Sequence, residues 1–367
     1  MPKFKGSPDY AHGSDTCLGI LITNLGTPQA ASTSAVREYL AEFLWDPRVV
    51  EIARPIWWMI LHGVILRTRP SKSAEAYAKV WTDEGSPLLV IAKQQRAALQ
   101  AAFDVANLGN IKVELAMRYG QPSIQAGLQS LREQGARRVL LMPLYPQYSA
   151  STTASTFDAV AKEFMQLRWM PELRMINNYG AETEYINACA EQIQNYWQQK
   201  SRSQKLLFSF HGLPKRNLMQ GDPYHCECYE TARLIAEKLQ LSDTEWMLTF
   251  QSRFGKAEWL KPYTDKTLMK LPSEGIKSVD IFCPGFSADC IETLEEMDMQ
   301  NHEIFLQHGG ESFNYIPALN AEPTHIQALL SIIKRHIQGW PESASGYVPK
   351  ANQAEIKQRA INLGAKK

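Results

Sequence analysis

Three carboxylates and one histidine are the residues of this chain best placed to do chemistry. In Phe282-Cys-Pro-Gly-Phe286-Ser-Ala-Asp289-Cys-Ile-Glu292-Thr-Leu-Glu-Glu296, a buried strand ends at Phe282, turns through Pro-Gly, and enters a helix that opens with acids. At about 100° per residue, Asp289, Glu292 and Glu296 fall within about 60° of one another. Cys290, Ile291, Leu294 and Met297 then face the other way and can pack inward. A carboxylate stripe at the carboxyl end of a strand stands where open α/β sheets bind ligands. It suits a divalent cation and can also relay protons. The same spacing makes a capping box, and acids favour a helix N-terminus, so the stripe alone leaves a solvated helix start open. His211 ends another apolar run, Lys205-Leu-Leu-Phe-Ser-Phe-His, and gains weight because it could converge with the stripe on one cleft.

The elements that must position these residues occur twice. Leu18 to Pro28 is a strand that ends in a Gly26-x-Pro turn, and Lys205 to Pro214 repeats the design around Gly212. Arg118-Tyr119-Gly120 is matched by Arg253-Phe254-Gly255. The run from Gly135 through Pro143 to Ser149-Ala150 is matched by Gly275 through Pro284 to Ser287-Ala288. Three landmarks in one order predict an α/β fold of two similar Rossmann-like, doubly wound lobes with parallel four-stranded sheets and a cleft between them. The boundaries expected are 17–165 for the first lobe, 166–341 for the second, which carries the acids, and 342–367 for a polar tail. The halves diverge where chemistry would be: Leu25 stands in the place of His211, and Ser149 to Ser155 has no counterpart of Glu292.

Gly26 and Gly120 are 94 residues apart, whereas Gly212 and Gly255 are 43 apart. The first half therefore carries about fifty extra residues, placed at about 30–80. Trp57, Trp58, Ile60 and Leu66 supply apolar surface there, and Arg54, Arg67 and Arg69 supply positive charge. Such a segment suits an interfacial helix, a lid over a flat apolar ligand, or a helix pair packed on its lobe.

Composition narrows the classes. A net charge of +1 leaves no footprint for nucleic acid. The longest apolar run, Pro55 to Leu66, is interrupted by His62 and is too short to span a bilayer. The N-terminus lacks signal-peptide order, so the expected compartment is the cytoplasm, with a peripheral contact on the inner face of the membrane. The six cysteines are scattered, and Cys226-Glu-Cys228 beside His225 lacks the spacing of a zinc knuckle.

The chain resembles the ferrochelatases from about Gly19 to Trp340. The motifs are Asn24-Leu-Gly-Thr-Pro28, Met117-Arg-Tyr119, Pro143-Leu-Tyr-Pro-Gln-Tyr148-Ser149, Ser209-Phe-His-Gly-Leu-Pro214, Gln251-Ser-Arg253 and Pro284 to Glu296. The resemblance implies a lyase that inserts Fe2+ into protoporphyrin IX to give protohaem, with release of two protons, as the terminal step of haem biosynthesis. It implies His211 and Glu292 as catalytic and metal-contacting residues, and Asp289 and Glu296 as an acidic path for metal or protons. It implies a porphyrin cleft with Leu25, Arg118, Tyr119, Tyr148, Trp259 and Phe286, and a lip with Trp57, Trp58 and Arg54. A base and a ligand role both stay open for His211. The partners expected are protoporphyrin IX and ferrous iron, with no nucleic acid, in a monomer. Many family members hold an iron–sulfur cluster through C-terminal cysteines; here none follows Cys290, so no retained cofactor and no cluster of that pattern are expected. The alternatives are a chelatase for another tetrapyrrole such as coproporphyrin, a non-catalytic haem or metal carrier, and a nucleotide-sugar transferase. The last is disfavoured because no G-x-G-x-x-G follows the first strand.

Overall fold

The computed structural model describes residues 4–7, 10–255, 257–347 and 352–366. Eight strands form two sheets. The first comprises β1 (Cys17–Thr27), β2 (Ile111–Gly120), β3 (Ala136–Pro143) and β4 (Glu172–Met175), in the order β2-β1-β3-β4. The second comprises β5 (Lys205–His211), β6 (Trp246–Gln251), β7 (Ser278–Phe282) and β8 (Ser312–Ile316), in the order β6-β5-β7-β8. Every pairing is parallel, and the two orders are the same. Both central strands are apolar on both faces, as buried parallel strands must be; Leu18, Ile20, Leu21, Ile22, Leu207 and Phe208 are fully buried.

The repeated glycine has one physical cause in both lobes. A Cβ on Gly26, whose φ is +110°, would lie 1.8 Å from the Tyr119 carbonyl of β2, and one on Gly212 would lie 2.6 Å from the Gln251 carbonyl of β6. Only glycine lets the central strand turn against its neighbour there. In each sheet the two inner strands lead onward in opposite directions, β1 to β2 but β3 to β4, and β5 to β6 but β7 to β8. The ends of β1 and β3, and of β5 and β7, are therefore topological switch points, where α/β sheets open a crevice.

The helices Pro87–Val105, Thr183–Gln199, Tyr224–Lys238 and Pro323–His336 pack into one apolar core with residues of both sheets. The insertion runs from helix Thr33–Trp45 to helix Leu66–Val80 and builds its own small core around Leu40, Leu44, Trp57 and Leu61. Pro70 sits inside the last of these helices, where it has no N–H for the Leu66 carbonyl; Arg37 Nε donates to that oxygen instead, at 3.0 Å.

Two expected boundaries are corrected. The first lobe does not end at 165, because β4 pairs with β3 from Arg138↔Glu172 to Leu141↔Met175. This strand is short and lacks an alternating pattern, so nothing in its sequence ties it to either lobe. Nor is 342 the start of a free polar tail. Glu342 is buried, accepts from Arg138 at 2.6 Å, and its carbonyl accepts from Asn110 N–H at 3.0 Å. With Trp340 Nε1 donating to Glu172 at 2.7 Å, the chain returns to the first sheet. Helix Gln353–Asn362 beyond it buries no residue.

Candidate active site

The two switch points face each other across a cleft with about 1180 Å³ of empty space, its open mouth included. Asn24 and Leu25 at the end of β1, and Leu144, Tyr145 and Gln147 after β3, form one wall. His211 and Gly212 at the end of β5, with Gly285 to Ala288 after β7, form the other. The lip adds Phe43 and Val49, and the segment after β6 adds Phe254 and Trp259.

His211 is the last residue of β5. Its Nδ1 lies 2.7 Å from the Gly212 carbonyl. A carbonyl only accepts, so Nδ1 carries the proton and Nε2 keeps its lone pair available as base or ligand. The carbonyl of His211 in turn accepts from Tyr224 Oη at 3.0 Å, which fixes the strand end.

The acids belong to a π-helix, Glu292–Asn301. Its i→i+5 geometry is supported by side chains five residues apart: Gln300 Nε2 donates to the Glu295 carboxylate at 2.6 Å, and Asn301 Nδ2 to the Glu296 carbonyl at 2.8 Å. More than four residues per turn bring Glu292 and Glu296 nearly into line. The end of β6 holds both. Gln251 Nε2 donates to the Glu292 carbonyl at 2.8 Å, and Ser252 donates to the Glu296 carboxylate through N–H, at 2.7 Å, and through Oγ. Ser252 takes φ +62° to do so, an uncommon conformation for a residue with a side chain. Burial raises the Glu296 pKa above its ordinary value; the Ser252 hydrogen bonds and the nearby His211 oppose this, and the charge of Glu292 adds to it. Glu296 therefore holds its proton to higher pH than an ordinary glutamate and lies within electrostatic reach of both His211 and Glu292.

Asp289 is not part of this stripe, contrary to expectation. It precedes the helix, is buried, and accepts from Tyr315 Oη at 2.5 Å, Asn320 Nδ2 at 2.8 Å and Thr293 Oγ1 at 3.0 Å. An α-helical angle per residue put it on the wrong face, and its hydrogen bonds make it an anchor for the turn between β7 and the π-helix.

Leu25, Trp259 and Phe286 line the cleft. Arg118 and Tyr119 do not. Arg118 Nη2 at 2.5 Å, Tyr119 Oη at 2.8 Å and Ser155 Oγ at 2.6 Å all converge on Asp46, which follows the first lip helix. Burial pushes the Asp46 pKa up, but the hydrogen bonds from Ser155, Arg48 N–H and Tyr119, with the Arg118 charge, outweigh it and hold the carboxyl below its ordinary value. This network clamps the lip to β2. Tyr148 is half-buried between the cleft residues Gln147 and Ser149, does not itself line the cleft, and donates its backbone N–H to Glu227 at 2.7 Å.

The lip residues divide. Trp58 is 55 % exposed beside exposed Ile56, Met59 and Val64, whereas Trp57 is 4 % exposed and donates Nε1 to the Leu44 carbonyl at 2.7 Å. Neighbouring positions on a helix face different ways, so both tryptophans could not meet one surface. Arg54 spends its guanidinium on the carbonyls of Trp45, Val50 and Ile52, and Arg69 lies 5.1 Å over the ring of the cleft residue Phe254. The sequence reading assigned no role to Gln251, Ser252, Tyr39 or Tyr77. The Tyr39 and Tyr77 hydroxyls are held protonated by burial, and the Glu292 charge adds to the effect. Only their place in the inserted segment could have suggested them.

Of the six cysteines, Cys226 is exposed and the rest are buried. Burial raises the pKa of Cys189, Cys228, Cys283 and Cys290 well above the ordinary thiol value, and that of Cys17 to about 11. Among the described residues no group of three or more His, Cys, Asp and Glu could hold a metal ion, and no helix is long and apolar enough to cross a membrane.

Residues 17–337 match the family model described as Ferrochelatase. A ferrochelatase of Thioalkalivibrio sulfidiphilus is 54% identical over 367 residues, covering 99% of this chain and 100% of the relative. One of Marinobacter nauticus is 53% identical over 360 residues, covering 98% and 95%. Among solved structures, SirB from Bacillus subtilis with Fe3+ superposes with a TM-score of 0.50 at 13% identity, covering 91% of this chain and 100% of that one, a likeness of fold.

Proposed function

The chain belongs to the ferrochelatase family and is a lyase that inserts iron into porphyrin, the terminal step of haem biosynthesis; from that premise we propose that its porphyrin is protoporphyrin IX and that His211 and Glu292 carry the metallation. The observation that supports this most is that His211 and Glu292 both line one apolar cleft, with Glu296 behind them in electrostatic reach of both.

Metallation exchanges two pyrrole N–H protons for one Fe2+. The ring hides its nitrogens in its plane, so binding along its faces must hold it puckered, and the apolar walls around Leu25, Phe286 and Trp259 supply such contact. His211 Nε2 receives the two pyrrole protons in turn, giving up the first before it takes the second. Glu296, already biased toward protonation, lies within electrostatic reach to stabilise the imidazolium, and through a water it would take the proton onward. Glu292 faces the cleft and replaces part of the hydration shell of the entering iron, which is substrate and leaves on the product. Asp289 acts on the ion only through the turn that it anchors. With no cysteine after Cys290, this reading includes no cluster of the C-terminal-cysteine pattern.

The apolar lining favours protoporphyrin IX over coproporphyrin, whose four carboxylates would press charge against apolar walls. Anaerobic incubation with Fe2+ and equal amounts of the two porphyrins, followed by mass spectrometry, should give mainly protohaem. Coprohaem as the main product would contradict the assignment.

Protoporphyrin is poorly soluble in water, and Ile56, Trp58, Met59 and Val64 of the lip are all exposed. They support a peripheral, reversible contact with the cytoplasmic face of a membrane, through which the substrate enters.

A further inference from the structure

Arg216 stands five residues beyond His211 on the same stretch of chain. Gly212, Leu213 and Pro214 line the cleft, and the short helix Lys215–Met219 follows. The stretch is firmly held. Pro214 pairs with Trp259, Leu260 N–H donates to the Leu213 carbonyl at 2.9 Å, and Lys215 N–H to the Glu258 carbonyl at 2.9 Å. Arg216 is thereby set at the rim of the wall whose apolar face is Trp259.

The charges around it are already matched. Lys215 and Lys261 share Glu258 at 3.2 and 2.9 Å, Arg253 pairs with Asp265 at 2.6 Å, and Arg118 with Asp46 at 2.5 Å. Among the residues that line the cleft, Glu292 is the carboxylate and Arg216 the basic side chain beside the imidazole of His211. Among the described residues, no carboxylate lies within ion-pair distance of Arg216. Beside it, Asn217 also lines the cleft, and its Oδ1 is buried without a hydrogen-bond partner. Its amide also carries Nδ2, a donor that a carboxylate can use.

We propose that Arg216, with Asn217, anchors a carboxylate on the edge of the flat ring and so fixes which edge lies at the rim. The planar guanidinium matches a carboxylate through two parallel N–H donors, and the ring face has Trp259 and Pro214 to lie against. The assignment rests on the porphyrin-metallating reading. It makes Arg216 a positioning and specificity residue, since it touches substrate remote from the reacting nitrogens.

The test compares protoporphyrin IX with its dimethyl ester in detergent micelles, for the wild type, Arg216→Ala and Arg216→Lys. Fluorescence titration reads binding, and anaerobic metallation with Fe2+ reads KM and kcat. Arg216→Ala should weaken binding of the diacid and raise its KM by about tenfold, the scale of one partly exposed charged hydrogen bond. Binding of the diester, kcat and the iron KM should stay near wild type, and Arg216→Lys should recover most of the loss. Equal effects on diacid and diester, or none on either, would overturn the anchor. A wild type that binds the diacid yet metallates neither porphyrin would contradict the activity instead, and the binding titration would still decide Arg216.

Discussion

Asp289 and Glu296 carry the same charge and lie seven residues apart, yet their surroundings give them different work. Asp289 is enclosed by Tyr315, Asn320 and Thr293, whereas Glu296 is held by Ser252 and senses His211. Asp289→Asn should therefore lower stability by about 2–4 kcal/mol, because buried donors lose a charged acceptor. Denaturant unfolding measures this, and a stability unchanged from wild type would show that the anchor is idle. Glu296→Gln should raise the KM for Fe2+ while the porphyrin KM stays the same; an unchanged dependence of rate on iron would leave Glu296 as a supporting carboxylate only. His211 and Glu292 were legible in the sequence because each sits at a strand end or just beyond a turn, where a motif fixes position. Gln251 and Ser252 were quoted in a motif but given no role, since their work depends on a π-helix 40 residues away in the chain.

The lip and the π-helix show what a periodic reading of elements misses. A run of apolar residues and arginines announced the lip, but the division between Trp57 and Trp58 depends on the local helix axis. Trp57→Ser should destabilise the protein by about 3–5 kcal/mol, the cost of emptying a buried aromatic site. Replacing Trp58 and Met59 by Ser should leave the melting temperature near wild type and weaken sedimentation with anionic lipid vesicles severalfold. Vesicle binding equal to wild type in that double variant would make the exposed patch irrelevant to membranes. The π-helix was read as α because Glu292 and Glu296 satisfy both periods; only the Gln300–Glu295 and Asn301–Glu296 pairs distinguish them.

At the scale of the whole molecule, three repeated landmarks sufficed to foresee two like lobes, because the glycine at each central strand end answers a steric demand that leaves few alternatives. The contacts that join the lobes were not legible, since they link distant positions: Gln95 Nε2 donates to the carbonyls of Ser287 and Asn320 at 2.9 Å, and Gln147 Nε2 to Thr231 at 2.9 Å. Asn320 is further supported by His325, fully buried, whose Nδ1 lies 2.7 Å from its carbonyl. Burial lowers the His325 pKa from 6.5 to about 4. Between those values the unfolded chain binds the extra proton and the folded one does not, so stability is lost as pH falls through that window, by up to about 3 kcal/mol. Urea unfolding at pH 7 and pH 4.5 should show a smaller acid loss in His325→Asn than in the wild type, and equal losses would remove His325 as the source. The central claim, that the cleft between the lobes metallates porphyrin through His211 and Glu292, is tested most directly by anaerobic single-turnover absorbance with Fe2+ and bound protoporphyrin IX. The wild type should convert free base to protohaem, and folded His211→Ala and Glu292→Gln proteins that still bind the porphyrin should do so at least about a hundredfold more slowly. Conversion at the wild-type rate in either variant would contradict the account.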